Sequence, residues 1–375
     1  MKMSRGNHLL GTVFLALACL FLSVGMSAAT DFPHYEVPQD CLDQVQEEGS
    51  KLHIYDWAAW WPEAIYTGFE EKYGITIVRD NFASEDEVVT KFKLNPRSGY
   101  DITLVGIKPL LQLKAMKLLH EINHDWVPNV NHYLRDKARN AFYDPGYQYS
   151  VTDDFVMAIY EYNAKYVDPD DPRTDSYALL FEGEEYAKEI TMINDKMYVV
   201  GAALKYLGYS WNSDDPKELE EAKQLLLKQK DLVMAYDSWP KRLVLEEEAK
   251  IAQCWSGDPW FLHTELPTIR GVMPKEGTQV DIDAMLIPKH APHPAAAHLW
   301  INYVFSPEVN QRLIESIGYI PMHKATAENL PQEMQDWPGL VPSDAYLEKC
   351  DFTHPRSFTG QGQKLRQEIW EELKR

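Results

Sequence analysis

Residues 52–105 constrain the fold most, because three short apolar runs alternate there with two segments of helical period. Residues 52–55 read as a strand. Pro62 suits the first turn of a helix, where its missing N–H costs nothing, and Ile65, Phe69 and Tyr73 recur at i, i+4 and i+8 before Gly74. Residues 75–78 form a second strand. Ser84 with Glu87 three residues later makes a capping box, Val88 and Phe92 carry the apolar stripe, and residues 101–105 give the third strand. A βαβαβ unit results, whose ligands meet the carboxyl ends of the strands. Those ends carry Asp56-Trp57-Ala58-Ala59-Trp60 and Gly106-Ile107-Lys108, and no glycine-rich phosphate fingerprint follows the first strand. An aromatic-lined cleft is expected instead of a nucleotide site, against the plain alternative that both tryptophans are core.

The alternation continues. Residues 109–119 read as helix, 119–122 as a short extended piece, and 125–149 as turns with a short helix. The apolar and aromatic run 155–162 is long enough to leave one lobe and enter another. Strands are expected at 190–193, 232–236, 249–255 and 285–288, the last returning to the first lobe. Helices are expected at 196–207, 216–228, 295–305 and 307–316, with helical pieces from 325 onward. No internal repeat occurs. The class is α/β, in two lobes.

Residues 1–29 have the form of a secretory signal: Lys2 and Arg5, an apolar run over 9–18, and Ser27-Ala28-Ala29 as a cleavage site. A lipid anchor at Cys19 is the weaker alternative, since Ala16-Leu17-Ala18 is a poor lipobox. Beyond the signal no uncharged run nears the ~20 apolar residues of a membrane span, so a soluble monomer in the periplasm is expected. The net charge of −20 becomes more negative once Lys2 and Arg5 are removed; such a surface repels nucleic acid and favours cations. Three cysteines remain, and Cys41 with Cys350 is the expected disulfide because Cys254 lies within the apolar-flanked run 251–255.

Enzyme readings are weak. His120-Glu121-Ile122-Asn123-His124 fits the zinc-protease spacing, but that chemistry needs both histidines on one helical face, and Asn123, Asp125 and Pro128 are poor helix company. His290, His293 and His298 surround Pro292 and Pro294 and read as a loop entering a helix. No G-x-S-x-G occurs, and Cys254 has no histidine near it in sequence. No metal, cofactor or catalytic residue is expected.

From about residue 52 to 319 the chain resembles the periplasmic polyamine-binding proteins of the spermidine and putrescine type, substrate receptors of ABC importers. The resemblance rests on Tyr55-Asp56-Trp57, Ser84 with Glu87, Tyr100-Asp101, Ala203-Leu204 with Leu207-Gly208, Trp255-Ser256-Gly257-Asp258, Pro274-Lys275-Glu276-Gly277, Asp283, Ile287-Pro288 and Ile317-Gly318-Tyr319. It implies a two-lobed binding protein of the type II class, with residues 30–156 and 283–325 in one lobe, 157–282 and 326–375 in the other, and a hinge where the chain crosses near 156–158 and 280–283.

By that resemblance Trp57 and Trp60 stack on the ligand's methylene stem, and Trp255 forms the opposite wall. Asp258 and Asp283 take ammonium groups, Asp195 is a further ligand carboxylate, Ser238 a polar contact and Tyr319 a cleft tyrosine. Glu87 comes with its motif. Lys108 and Asp281 fall at cleft positions where the family has a tyrosine or serine and an aromatic wall; a family glutamate falls at Tyr198, and polar residues at Ala58 and Gly106. The residue types suit a diamine, because each ammonium is a donor of three hydrogen bonds and accepts none, while flat rings cover the spacer. Lys108 is the misfit. A like charge at ~4 Å costs ~4 kcal/mol at an effective dielectric near 20, so it points away, pairs with Asp281 or Glu85, or recognises a ligand carboxylate. The expected function is polyamine capture for an ABC importer; the alternatives are a receptor docking on a membrane sensor and a receptor for another cationic amine or amino acid.

Overall fold

The computed structural model describes residues 32–58, 60–238, 240–337 and 339–375. The expected signal at 1–29, with Cys19, lies outside them. Helix α1 (Gln39–Glu48) precedes β1 (Lys51–Trp57), α2 (Glu63–Tyr73), β2 (Thr76–Phe82), α3 (Glu85–Leu94), β3 (Ile102–Val105) and α4 (Ile107–Ala115). The local signals act as expected. Gly74 closes α2 in the left-handed region at φ 66°, where a side chain would be strained, and Ser84 caps α3 by accepting from the Glu87 N–H.

β1 lies between β2 and β3, parallel to both, so the chain turns opposite ways on its two sides and opens a crevice at the carboxyl ends. The sheet continues through β9 (Gln279–Leu286), antiparallel to β3, to β4 (Ser150–Asn163), antiparallel to β9. β4 joins the two halves: up to Met157 it pairs with β9, and from Ala158 it pairs with β7 of a second sheet. That half contains β5 (Ile190–Ile193), α5 (Lys196–Tyr206), α6 (Pro216–Gln229), β6 (Val233–Asp237), α7 (Lys241–Leu245), β7 (Ile251–Trp255), α8 (Asp258–Glu265) and β8 (Ile269–Val272). Helices α9 (Pro294–Val304) and α10 (Pro307–Ile317) return to the first sheet, followed by β10 (Ile320–Pro321), β11 (Asp351–Phe352) and α11 (Gly360–Leu373). β11 pairs with β9, whereas α11 packs on α5 and α6.

Each half has its own core. In the first, Trp300 is enclosed by Trp61, Tyr66 and Phe69; in the second, Trp211 packs directly on Gly201 of α5. Among the described residues no helix is long and apolar enough to cross a membrane.

Three expectations are corrected. The strand expected at 285–288 runs Gln279–Leu286: Val280, Ile282, Ala284 and Leu286 alternate with Asp281 and Asp283, and those acids broke the apolar run by which a strand is read. β4 likewise begins five residues before the expected start, because Asp153 and Asp154 are buried within it. The disulfide is absent: Cys41 lies against the Ala295 carbonyl and Cys350 against that of Tyr346, and both are free thiols. The His120-to-His124 segment is extended, with the His120 N–H donating to the Ile287 carbonyl, and only at His124 does a single 3₁₀ turn begin, so no helical face gathers the two histidines.

Candidate functional site

Where β9 and β4 run side by side, carboxylates collect. Asp281 is fully used: Oδ1 accepts the N–H groups of Ile107 and Ile282, both at 2.9 Å, and Oδ2 accepts from Gln279 Nε2 at 3.0 Å and Thr353 Oγ1 at 2.7 Å. It therefore fixes the start of α4 and the chain after β11. Asp283 is different. It pairs across the strands with Asp154, whose two oxygens are buried without any hydrogen-bond donor. Asp154 is 0 % and Asp283 8 % exposed. Burial first, and neighbouring carboxylates second, hold both acids well above the usual range.

Other acids surround this pair. Asp153 has one oxygen on Asn310 Nδ2 at 2.8 Å and the other unpartnered, and burial pushes it to about 7. Asp56, which accepts the Trp57 N–H at 2.6 Å, is likewise pushed by burial to about 7. Glu85 accepts the Gly106 N–H at 2.7 Å, and burial and Asp281 push it up to about 8. A Cβ at Gly106 would lie 2.7 Å from Glu85 Oε1 and 3.0 Å from Asp281 Oδ1, so a larger residue there would displace the Glu85 carboxylate.

Aromatic side chains wall the acids. Trp60 packs on Tyr319 with ring centroids 5.3 Å apart, and Trp255 meets Tyr198 edge-on at 4.5 Å. The Tyr198 hydroxyl is pushed far up by burial and by Asp281, Asp195, Glu85 and Asp283, which places this α5 residue against the acids of the first sheet. Gly257 has an ordinary φ of −83°, so it is not needed to turn the chain; a Cβ there would strike the Ile317 carbonyl at 2.2 Å and the Tyr319 ring at 2.8 Å. Trp57 leaves this wall, packing edge-on against Phe82 at 4.5 Å.

The remaining expected residues are distributed unevenly. Asp258 is buried, with Oδ2 accepting the Trp255 N–H at 3.1 Å and Oδ1 paired to Lys241 Nζ at 2.9 Å. Asp195 caps α5 through the Met197 N–H and lies near Lys108 and Asp86. Lys108 pairs with Asp86 at 2.6 Å, not with Asp281 or Glu85. Glu87 is exposed and accepts from Tyr55 Oη and the Ala83 N–H, two bonds that hold the start of α3. Ser238 is exposed in the bend after β6.

The profile of the family described as bacterial extracellular solute-binding protein matches residues 64–342. The chain belongs to that family. This solute-binding protein is 25 % identical to the spermidine/putrescine-binding periplasmic protein of Salmonella typhimurium over 359 residues, 96 % of this chain and 97 % of the relative. It is 25 % identical over 310 residues to a putrescine/agmatine-binding protein of Pseudomonas aeruginosa, covering 78 % and 84 % of the two chains. The solved spermidine/putrescine ABC transporter substrate-binding protein of Streptococcus pneumoniae superposes with a TM-score of 0.77 at 24 % identity, over 87 % of this chain and 99 % of the other, and shares the two-lobed fold.

The solute-binding protein also carries a histidine cluster at the opposite edge of the first sheet. Asp101 accepts the N–H groups of His53 and His293 and the His293 ring at 2.9 Å, while the His53 ring meets the Gly99 carbonyl at 3.0 Å. The His53, Asp101 and His293 ligand atoms lie within 4.8 Å of one another, close enough to hold a metal. Yet each Nδ1 already has an acceptor, so hydrogen bonds alone explain the group as a tie between β1, β3 and α9. A surface cavity of about 600 Å³ beside it is lined by Arg97, His120, Lys289 and His290, and its two cations oppose a further positive charge. His298 is buried, pushed down to about 4, and holds the Asn123 N–H and the Pro294 carbonyl.

Two residues of the candidate site, Asp154 and Lys241, escaped sequence reasoning, while Glu85 and Tyr198 were met there only as a possible partner of Lys108 and as a departure from the family's glutamate. Adjacent acids at the head of a long apolar run were the available signal for Asp154. Nothing local marked Lys241.

Proposed function

We propose that this protein captures a polyamine between its two lobes in the periplasm and delivers it to an ABC importer, as a monomer and without catalysis. One observation carries the reading: Asp154 and Asp283 lie together, buried, and neither Asp154 oxygen has a hydrogen-bond partner among the described residues. Two such acids need either a shared proton or a cation, and an ammonium with three N–H donors supplies charge and hydrogen bonds at once. Trp60, Tyr319, Trp255 and Tyr198 offer the flat surface that an aliphatic spacer needs. The names of the relatives, spermidine, putrescine and agmatine binders, agree with this chemistry. Charge-assisted hydrogen bonds of ~1.5–3 kcal/mol each and cation–π contacts of up to ~2 kcal/mol suffice for micromolar affinity or better.

The lobes are taken to be residues 30–156 with 283–325 and residues 157–282 with 326–375, closing about β4 and β9. Calorimetry with putrescine, spermidine, agmatine, lysine and arginine tests the proposal. Saturable binding of at least one polyamine, abolished by Asp283→Asn, is expected; binding of none, or of the amino acids alone, overturns it.

A further inference from the structure

Lys108 and Lys241 each pair with an acid near the candidate site, and they serve it differently. Lys108 is neutralised by Asp86 at the rim. Lys241, the first residue of α7, sends its ammonium to the buried Asp258 at 2.9 Å, and that ammonium also lies over the Phe261 ring, 4.9 Å from the centroid. A carboxylate and a ring face are the two partners that an alkylammonium ligand would require. Asp258 stands at the end of the aromatic wall, since the preceding Gly257 packs against the Tyr319 ring, which in turn packs on Trp60. Glu161 of β4, close to the same pair, is buried with neither oxygen partnered. Asp154 and Asp283, by contrast, pair with no cation among the described residues.

We propose that Lys241 is a tethered ammonium that fills the Asp258 end of the site and thereby limits how many charges a ligand can place there. The inference rests on reading the site as a polyamine site, and deepens it by naming what sets the preferred length. An amine bound at Asp154 and Asp283 finds the far carboxylate occupied. A third ammonium then meets the Lys241 charge instead of a bare acid, so a triamine gains little over a diamine. The side chain is one-third exposed and enters from the surface, so Lys241→Met keeps stem and volume while removing the charge. Asp258 and Glu161 would then face the ligand's last ammonium.

The test is calorimetry on the full chain with putrescine and spermidine at one pH and one salt concentration. Lys241→Met should shift the affinity ratio toward spermidine by at least about tenfold, the order of one gained charge-assisted hydrogen bond, while Lys241→Arg leaves the ratio within about twofold. Adding Asp258→Asn to Lys241→Met should return the ratio to its starting value. If Lys241→Met does not fold because Asp258 is left bare, Lys241→Gln keeps a donor to Asp258 without the charge and should show the same shift. An unmoved ratio in the uncharged variants, or a gain that survives Asp258→Asn, overturns the role of Lys241 while leaving polyamine binding intact. Failure of the unaltered protein to bind either amine would remove the polyamine reading and this inference with it.

Discussion

Asp281 and Asp283 are two residues apart on one strand, yet donors decide their roles. Asp281 has four protein donors and Asp283 is left with another acid. Removing the Asp283 charge should therefore weaken polyamine binding by ~2–5 kcal/mol, roughly 30-fold or more, and raise the melting temperature of the ligand-free protein by relieving Asp154. Titration calorimetry and thermal melts of Asp283→Asn check both, and a variant that binds normally would end Asp283's assignment. Asp281→Ala should behave the other way: it strands two backbone N–H groups and two side chains, costing about 3 kcal/mol or more of stability. At this scale the sequence was legible where a motif carried the residue, as at Trp255, Asp283 and Tyr319. It was silent where a partner arrives from elsewhere in the chain: the Lys241–Asp258 pair and the four donors to Asp281 exist only after folding.

Helices and strands were read best where local chemistry acts alone. The Ser84 cap, the Gly74 and Gly318 stops and the β5 run needed no tertiary help. β4 and β9 were misplaced because buried acids interrupt their apolar pattern, so the strands that carry the site were the least visible. Helix α8 was also missed, because its apolar residues Trp260, Phe261 and Leu262 are consecutive and mark no single face. Packing between elements gives a separate prediction at Gly201, where a Cβ would lie 2.0 Å from the Trp211 ring. Gly201→Ala forces α5 away from that ring and should cost about 1–3 kcal/mol in chemical denaturation; because α5 also carries Tyr198, whose ring centroid lies 6.5 Å from that of Trp211, ligand affinity should fall with it.

The molecule as a whole stores an acidic cluster that the unfolded chain would release. Asp56 and Asp153 at about 7, Glu85 at about 8, and Asp154 and Asp283, which burial holds well above the usual carboxylate range, bind protons in the folded state at pH values where the unfolded chain has lost them. The folded form therefore holds more protons from roughly pH 4 upward, and its stability must fall as pH rises through that window. Lys108 and Lys241, held by Asp86 and Asp258, do not cancel the effect. Ligand-free protein should melt at a lower temperature at about pH 8 than at about pH 5, and the stabilisation by a bound polyamine should grow over the same interval as the ligand displaces protons. A ligand-induced melting shift independent of pH would contradict this account of the acids.

Three lengths of chain pass between the halves: β4, the run from β8 into β9, and the tail, which pairs β11 with β9 before α11 packs on α5 and α6. Lys205 of α5 fastens that tail by bonding the Lys349 carbonyl and Asp351. Two bodies joined by one cord can meet in any orientation. With three cords side by side, twisting shortens all of them against one another, and only a swing about the axis they share remains free. On the proposed function, loading would change that single angle, and a membrane partner would need to sense one coordinate to tell loaded from empty.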